Sequence, residues 1–117
     1  ITDDPLNISF EELGLYADLG AEKVFAAERG SEKIAVEIKS FLHQSKIQDL
    51  KLAVGQYEIY RLYMSKLMPE RKLFVAIDKD IYKDFFLKKA VRFIIDEKNL
   101  PLIIVNLEQE VVVQWIN

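Results

Sequence analysis

The sequence predicts an α+β fold in which helices flank a mixed β-sheet. Two observations carry this prediction. Short apolar runs separated by turn residues fill the first third of the chain, and two long amphipathic segments alternate with further strands in the rest. The chain has 117 residues, 50% of them hydrophobic and 11% aromatic, which suits one small domain over residues 1–117.

The first third is predicted to form four strands. The apolar runs Leu6–Phe10 and Leu13–Leu19 come first, followed by Val24–Glu28 and Lys33–Lys39 on either side of a turn at Arg29-Gly30-Ser31. Such a turn pairs residues whose numbers sum to about 60. Cross-strand pairing is therefore predicted to put Glu37 roughly opposite Lys23.

The remaining elements follow from helical and strand spacing. Ser45 begins a helix that runs to Leu67, with the S-x-x-Q form of a capping box. Asp80 is the expected N-cap of a second helix that ends at Lys98. The predicted strands are Lys72–Ile77, Leu102–Leu107 and Val111–Ile116, the last two forming a terminal hairpin.

Charge and composition narrow the functional classes. Net charge is −3, but residues 61–92 carry 9 basic and 4 acidic side chains, so this basic middle either faces phosphates or forms a solvated helix face. The chain has no cysteine, which excludes a disulfide framework and a thiolate metal site. No apolar run approaches the ~18 residues that a membrane span requires, and no signal peptide is visible, so we expect a cytoplasmic protein.

Two candidate catalytic residues lie in one predicted strand segment, Ala35-Val36-Glu37-Ile38-Lys39-Ser40. Strand spacing puts Glu37 and Lys39 on one face of an otherwise apolar segment. Asp18 lies nineteen residues upstream of Glu37. Two carboxylates suit Mg²⁺ or Mn²⁺, which can polarise a phosphodiester, and a lysine can stabilise charge that develops on phosphorus. The alternative is an edge strand with a solvated face and a cross-strand ion pair.

A third element favours the catalytic alternative. Gln56 and Tyr60 lie four residues apart on the helix that follows the E-x-K strand, so they share a helical face. The ordered set of Asp18, then Glu37 and Lys39, then Gln56 and Tyr60 resembles RecB-like nucleases of the PD-(D/E)XK superfamily. That resemblance implies a restriction-endonuclease-like sheet and catalytic roles for these five residues.

Three other residues have competing interpretations. Glu22 could supply a further metal ligand or form a surface salt bridge. His43, the only histidine, could approach a phosphate or lie in a loop. Trp115 is expected to belong to the core or to an interface rather than to a base-stacking surface.

Several multi-residue blocks, which extend over nearly the whole chain, resemble one family, the XisH proteins, or fdxN-element excision controlling factors of cyanobacteria. The blocks are Asp18-Leu19-Gly20-Ala21-Glu22-Lys23, Ala26-Ala27-Glu28, Ile34–Phe41, Gly55-Gln56-Tyr57, Pro69-Glu70-Arg71 and Val113–Asn117. The resemblance implies control of site-specific excision of a DNA element during heterocyst differentiation, beside a separate recombinase.

The resemblance also implies a helix ahead of Asp4-Pro5-Leu6, close to where this chain begins. We expect that helix to be absent, which leaves open any third acidic ligand that it would contribute.

Three functions remain open. The first is a Mg²⁺-dependent nuclease-like protein that acts on DNA. The second is a non-catalytic regulatory module that binds DNA, a recombinase or other excision factors. The third is a dimeric interaction protein whose acidic ends contact a recombinase. A homodimer is also expected, through the terminal strand, where Val111, Val113 and Trp115 are predicted to share one face.

Overall fold

A computed structural model describes residues 11–12, 24–42 and 44–116 of the chain. The elements in chain order are β1 (Glu11–Glu12), β2 (Val24–Arg29), β3 (Glu32–Ile38), α1 (Lys46–Leu67), β4 (Lys72–Asp78), α2 (Lys79–Ile81), a π-helix (Tyr82–Phe86), α3 (Lys89–Lys98), β5 (Leu102–Asn106) and β6 (Val111–Ile116). The strands Leu6–Phe10 and Leu13–Leu19 predicted from the sequence lie outside the described residues.

The strands form one mixed sheet in sequence order, from β1 to β6. Pairing is antiparallel from β1 to β3, parallel from β3 to β5, and antiparallel again between β5 and β6. Each parallel pair is joined by a helical crossover, as parallel strands require. The predicted α+β class, with a mixed sheet and flanking helices, is confirmed.

The turn between β2 and β3 fixes the register of the E-x-K strand. It contains two residues, Gly30 and Ser31, and Gly30 has a φ of +61° that a glycine adopts without steric cost. The sequence predicted a three-residue turn. With one residue fewer, paired numbers sum to 61, so Glu37 faces Val24 and not Lys23.

Two apolar layers lie on opposite faces of the sheet. The first, here called the helix-side core, contains side chains of α1, α3 and alternate strand positions, among them Val24, Ala35, Leu50, Ala53, Tyr57, Tyr60, Met64, Leu73, Val75, Val91, Ile95 and Ile104. The second contains Ala27, Ile34, Val36, Phe74, Ala76, Ile103, Val105 and Val112. Strand side chains alternate between the faces, so adjacent residues of β3 and β4 enter different layers.

Trp115 belongs to the second layer. Its ring meets Phe74 edge-on, with centroids 5.4 Å apart, and the Arg29 guanidinium lies 4.2 Å from the Trp115 centroid. Trp115 therefore has a packing role, as predicted.

Helix α1 begins as the capping box predicts. The Ser45 hydroxyl accepts a hydrogen bond of 3.3 Å from the Gln48 backbone N–H and caps the first turn.

The second predicted helix, Asp80–Lys98, is wrong as a single helix. Helix α2 continues directly into the π-helix, and α3 is separate from them because Lys88 has an extended ψ of 141° that interrupts the helical backbone. The N-cap is Asp78 and not Asp80, since the Asp78 carboxylate accepts from the Asp80 N–H. Phe86 ends the π-helix buried in the core.

The face predicted for the terminal strand is also wrong. A β-bulge lies opposite the step between Ile104 and Val105, and Val113 is the extra residue on β6. The bulge turns Val112 and Trp115 to the same buried layer and leaves Val113 51% exposed.

In the described part of the chain, no helix combines the length and apolar character that crossing a bilayer demands.

Candidate functional site

Glu37 lies in the interior of the sheet. It is flanked by Val24 on the antiparallel neighbour and Val75 on the parallel one. Glu37 follows Ala35 by two residues in the strand, so both side chains point to the helix-side core. Glu37 has no exposed surface. A carboxylate buried there is costly to keep unless charge or polar groups compensate it. The edge-strand alternative is therefore excluded.

Lys39 continues the strand one residue beyond β3. Its backbone N–H donates to the Ala76 carbonyl at 2.9 Å, which extends the parallel pairing with β4. Its Nζ lies 3.4 Å from Glu37 Oε2, and its side chain is 11% exposed. Glu37 and Lys39 thus share one face, as strand spacing predicted.

Gln56 joins this pair from α1, where its Oε1 accepts a hydrogen bond from Lys39 Nζ. Tyr60 follows one helical turn later on the same side of α1 and is buried in the helix-side core. The fold therefore brings Glu37, Lys39 and Gln56 into contact from two elements and places Tyr60 behind them.

The site lies at the edge of the sheet where the parallel strands β3, β4 and β5 all end, a common location for ligands in such sheets. Phe41 anchors the loop after Lys39 to the π-helix. The centroid of its ring lies 5.2 Å from that of Phe86 and 6.2 Å from that of Phe85. The crossover that leaves the carboxyl end of β4 carries four exposed cations on the π-helix and at the start of α3: Lys83, Lys88, Lys89 and Arg92.

Two other members of the basic middle, Arg71 and Arg61, form contacts with groups of the same chain. Arg71 Nη1 donates to the carbonyls of Ala27 and Ile34 at 3.1 and 2.8 Å. Arg61 pairs with Glu58 at 2.7 Å. The basic stretch is therefore not one continuous phosphate-facing surface.

Three sequence-predicted candidates, Asp18, Glu22 and His43, lie outside the described residues. Within residues 11–12, 24–42 and 44–116, no three acidic, histidine or cysteine side chains cluster as a metal site. Glu37 is thus the metal-ligand candidate that this part of the chain provides at the site.

Asp49 was missed by sequence reasoning. It is 8% exposed and, with Glu37, is one of the two buried charged residues in the described part of the chain. It precedes Gln56 by seven residues, so both lie along one side of α1. That spacing was the available signal.

Tyr57, beside Gln56, faces the core. Burial raises the pKa of its phenol, outweighing the opposite effect of Arg61. Tyr57 is therefore protonated at neutral pH and cannot act there as a base.

Comparisons with known proteins agree with this architecture. A family model described as "XisH protein" matches residues 1–113. A crystal structure of an XisH family protein from Nostoc punctiforme is 41% identical, with a TM-score of 0.76, and the alignment covers 100% of this chain and 87% of that one. A crystal structure of an fdxN element excision controlling factor from Anabaena variabilis is 42% identical, with a TM-score of 0.75 and coverage of 100% and 86%. No curated protein matches the chain.

Proposed function

The chain belongs to the XisH family, and on that premise we propose that it acts on DNA through a nuclease-like site of the PD-(D/E)XK type, in the control of DNA-element excision. The observation that carries the proposal is the contact of Lys39 with both Glu37 and Gln56 in the helix-side core. A buried carboxylate and lysine are costly to maintain, and replacement by apolar residues is often neutral or stabilising. Their presence at the carboxyl ends of parallel strands is better explained by chemistry than by stability.

Glu37 would hold a divalent cation together with Asp18, and Glu22 would add a further oxygen. Carboxylate oxygens are the ligands that Mg²⁺ and Mn²⁺ prefer, and the strand backbone fixes Glu37 so that little ordering remains to be done on binding. The bound ion supplies polarisation of a phosphodiester and a hydroxide at neutral pH.

Lys39 would present its ammonium to the scissile phosphate. Its N–H groups are donors only, so it stabilises negative charge on phosphate oxygens without competing for the metal. Gln56 would fix the direction of that ammonium through the hydrogen bond to Oε1. Tyr60, in the core behind Gln56, would hold this part of α1 in position.

Calorimetric titration with Mg²⁺ and Mn²⁺ tests the metal role. Glu37→Gln should abolish binding, because it removes a charged ligand oxygen. Glu32→Gln is the matched control, since Glu32 is exposed at the other end of the same strand. Equal binding by wild type and Glu37→Gln would refute a metal site at Glu37.

Cleavage of single-stranded, duplex and branched DNA tests the reaction. Lys39→Met should abolish Mg²⁺-dependent cleavage while metal binding persists, with exposed Lys33→Met as its control. Gln56→Leu removes an acceptor from Lys39 without changing charge, so it should slow cleavage in a protein that stays folded. Wild-type protein that is inert on all three substrates would contradict the enzymatic proposal.

A second function, a regulatory module without catalysis, is favoured by one observation. The crossover that leaves the carboxyl end of β4 carries four exposed cations in addition to the Glu37–Lys39–Gln56 contact: Lys83, Lys88, Lys89 and Arg92. In this case DNA or recombinase binding would survive Lys39→Met. DNA binding would weaken in Lys88→Ala/Lys89→Ala and fall steeply with salt. Salt-independent binding, unchanged in that double variant, would exclude this function.

A further inference from the structure

Helix α1 has two apolar faces. Leu50, Ala53, Tyr57, Tyr60 and Met64 point into the helix-side core. Each residue two positions after one of these core residues points about 200° away around the helix. Those residues form an outward stripe that contains Leu52, Gly55, Ile59 and Leu62. Leu52, Ile59 and Leu62 are 53%, 56% and 60% exposed. A helix whose two opposite faces are apolar is normally covered on both.

Gly55 lies in the middle of the outward stripe. It is exposed, and a Cβ added to it would meet nothing within 4 Å. The packing of the described residues around Gly55 therefore gives no reason for a residue that weakens a helix interior. A glycine on an outward apolar stripe does allow the backbone of another helix to approach closely, since the side chains at the crossing set the interaxial distance.

We propose that the outward stripe of α1 is a homodimer interface, with the twofold axis passing at Gly55 and the two helices antiparallel. Residues three or four positions before Gly55 then meet residues three or four positions after it in the partner helix. Leu52 packs against Ile59 of the partner subunit, and each such contact occurs twice. Lys51 lies beside Glu58 of the partner subunit, because both project from the same flank of the stripe.

The charges select the antiparallel arrangement. Lys66 continues the outward stripe four residues after Leu62 and is exposed. A parallel pair would bring Lys66 against Lys66 of the partner subunit, a repulsive contact in the interface. The antiparallel pair leaves Lys66 beyond the start of the partner helix and replaces that contact with two Lys51–Glu58 pairs. Arg61 first, and then Lys98, hold the pKa of Glu58 below its usual range, so it is charged at neutral pH.

Sedimentation at protein concentrations up to the order of 100 µM tests the interface. Wild type should show a concentration-dependent dimer, and Leu52→Gln/Ile59→Gln should raise the dissociation constant at least ~100-fold. Both positions are exposed, so the fold should persist. Phe93→Gln, on exposed α3 surface at 66% exposure, is the matched control and should leave the dimer unchanged. A monomeric wild type, or a dimer disrupted by Val113→Gln on the β6 edge but not by the α1 variant, would overturn the proposal.

Disulfide trapping tests the axis, because the chain has no cysteine of its own. Gly55→Cys oxidised with diamide should give a covalent dimer, since the two copies of position 55 meet at the axis. Lys66→Cys should remain monomeric under the same oxidation. Trapping through position 66 and not 55 would overturn the antiparallel arrangement.

Discussion

Replacing Lys39 alone and together with Glu37 separates the stability of the site from its chemistry. Lys39 Nζ lies 3.4 Å from a carboxylate with no exposed surface. Removing one member of such a buried pair typically costs about 3–5 kcal/mol. We expect Lys39→Met to lose that amount. Because apolar replacement of both members is commonly neutral or stabilising by about 1–4 kcal/mol, Glu37→Leu/Lys39→Met should be at least as stable as wild type.

Urea unfolding followed by circular dichroism measures both effects. With a slope of about 2 kcal/mol per molar urea, the Lys39→Met midpoint should fall by roughly 2 M, while the double variant keeps or raises its midpoint. Lys33→Met, at an exposed position of the same strand, should change stability by less than about 0.5 kcal/mol. The reasoning would be refuted if Lys39→Met were as stable as Lys33→Met, or if the double variant were the least stable of the set.

Three further predictions concern the frame around the site. Gly30→Ala should cost about 1–2 kcal/mol in thermal unfolding because of its φ of +61°, and Gly30→Asn should cost less, since Asn tolerates that conformation. Arg71→Met should cost about 2–4 kcal/mol in urea unfolding because the guanidinium serves two carbonyls, and Arg71→Lys should rescue only part of the loss. Hydrogen bonds from the Leu107 and Asp80 N–H groups hold the pKa of Asp78 below its usual range. The stability that the ionised Asp78 carboxylate adds is therefore complete above about pH 4 and disappears as pH falls through the lowered pKa. Asp78→Asn should thus lower the free energy of unfolding at pH 7 and make it depend less on pH in the acid range. An identical pH profile in wild type and Asp78→Asn would contradict this.

The spacing of apolar residues, every second residue in strands and every third or fourth in helices, made most strand and helix positions predictable from the sequence. Val24, Lys46 and Val111 begin elements at or within one residue of the predicted starts. The break at Lys88 was not predictable, since lysine is a good helix former and its residue type does not oppose a helix. The bulge at Val113 was equally hidden, because three successive valines carry no alternation from which a register could be read.

The contact of Glu37 with Lys39 could be predicted, because residues two apart in a strand lie on the same face of the sheet. Their contact with Gln56 required knowing how α1 lies on the sheet, and the ordered resemblance to nucleases provided that expectation. The seven-residue spacing of Asp49 and Gln56 predicts that both lie on one side of α1, but the burial of Asp49 depends on how that helix packs and could not be predicted.

The burial of Glu37 within the apolar layer has a consequence for directed evolution of this scaffold. Position 37 contributes to packing and to the proposed site at once, so the two demands conflict at a single residue. A library screened for heat resistance alone should enrich apolar residues at positions 37 and 39 together, since that combination removes a buried charge pair. Persistence of glutamate and lysine through such a screen would indicate that the pair contributes to folding itself, independently of any reaction.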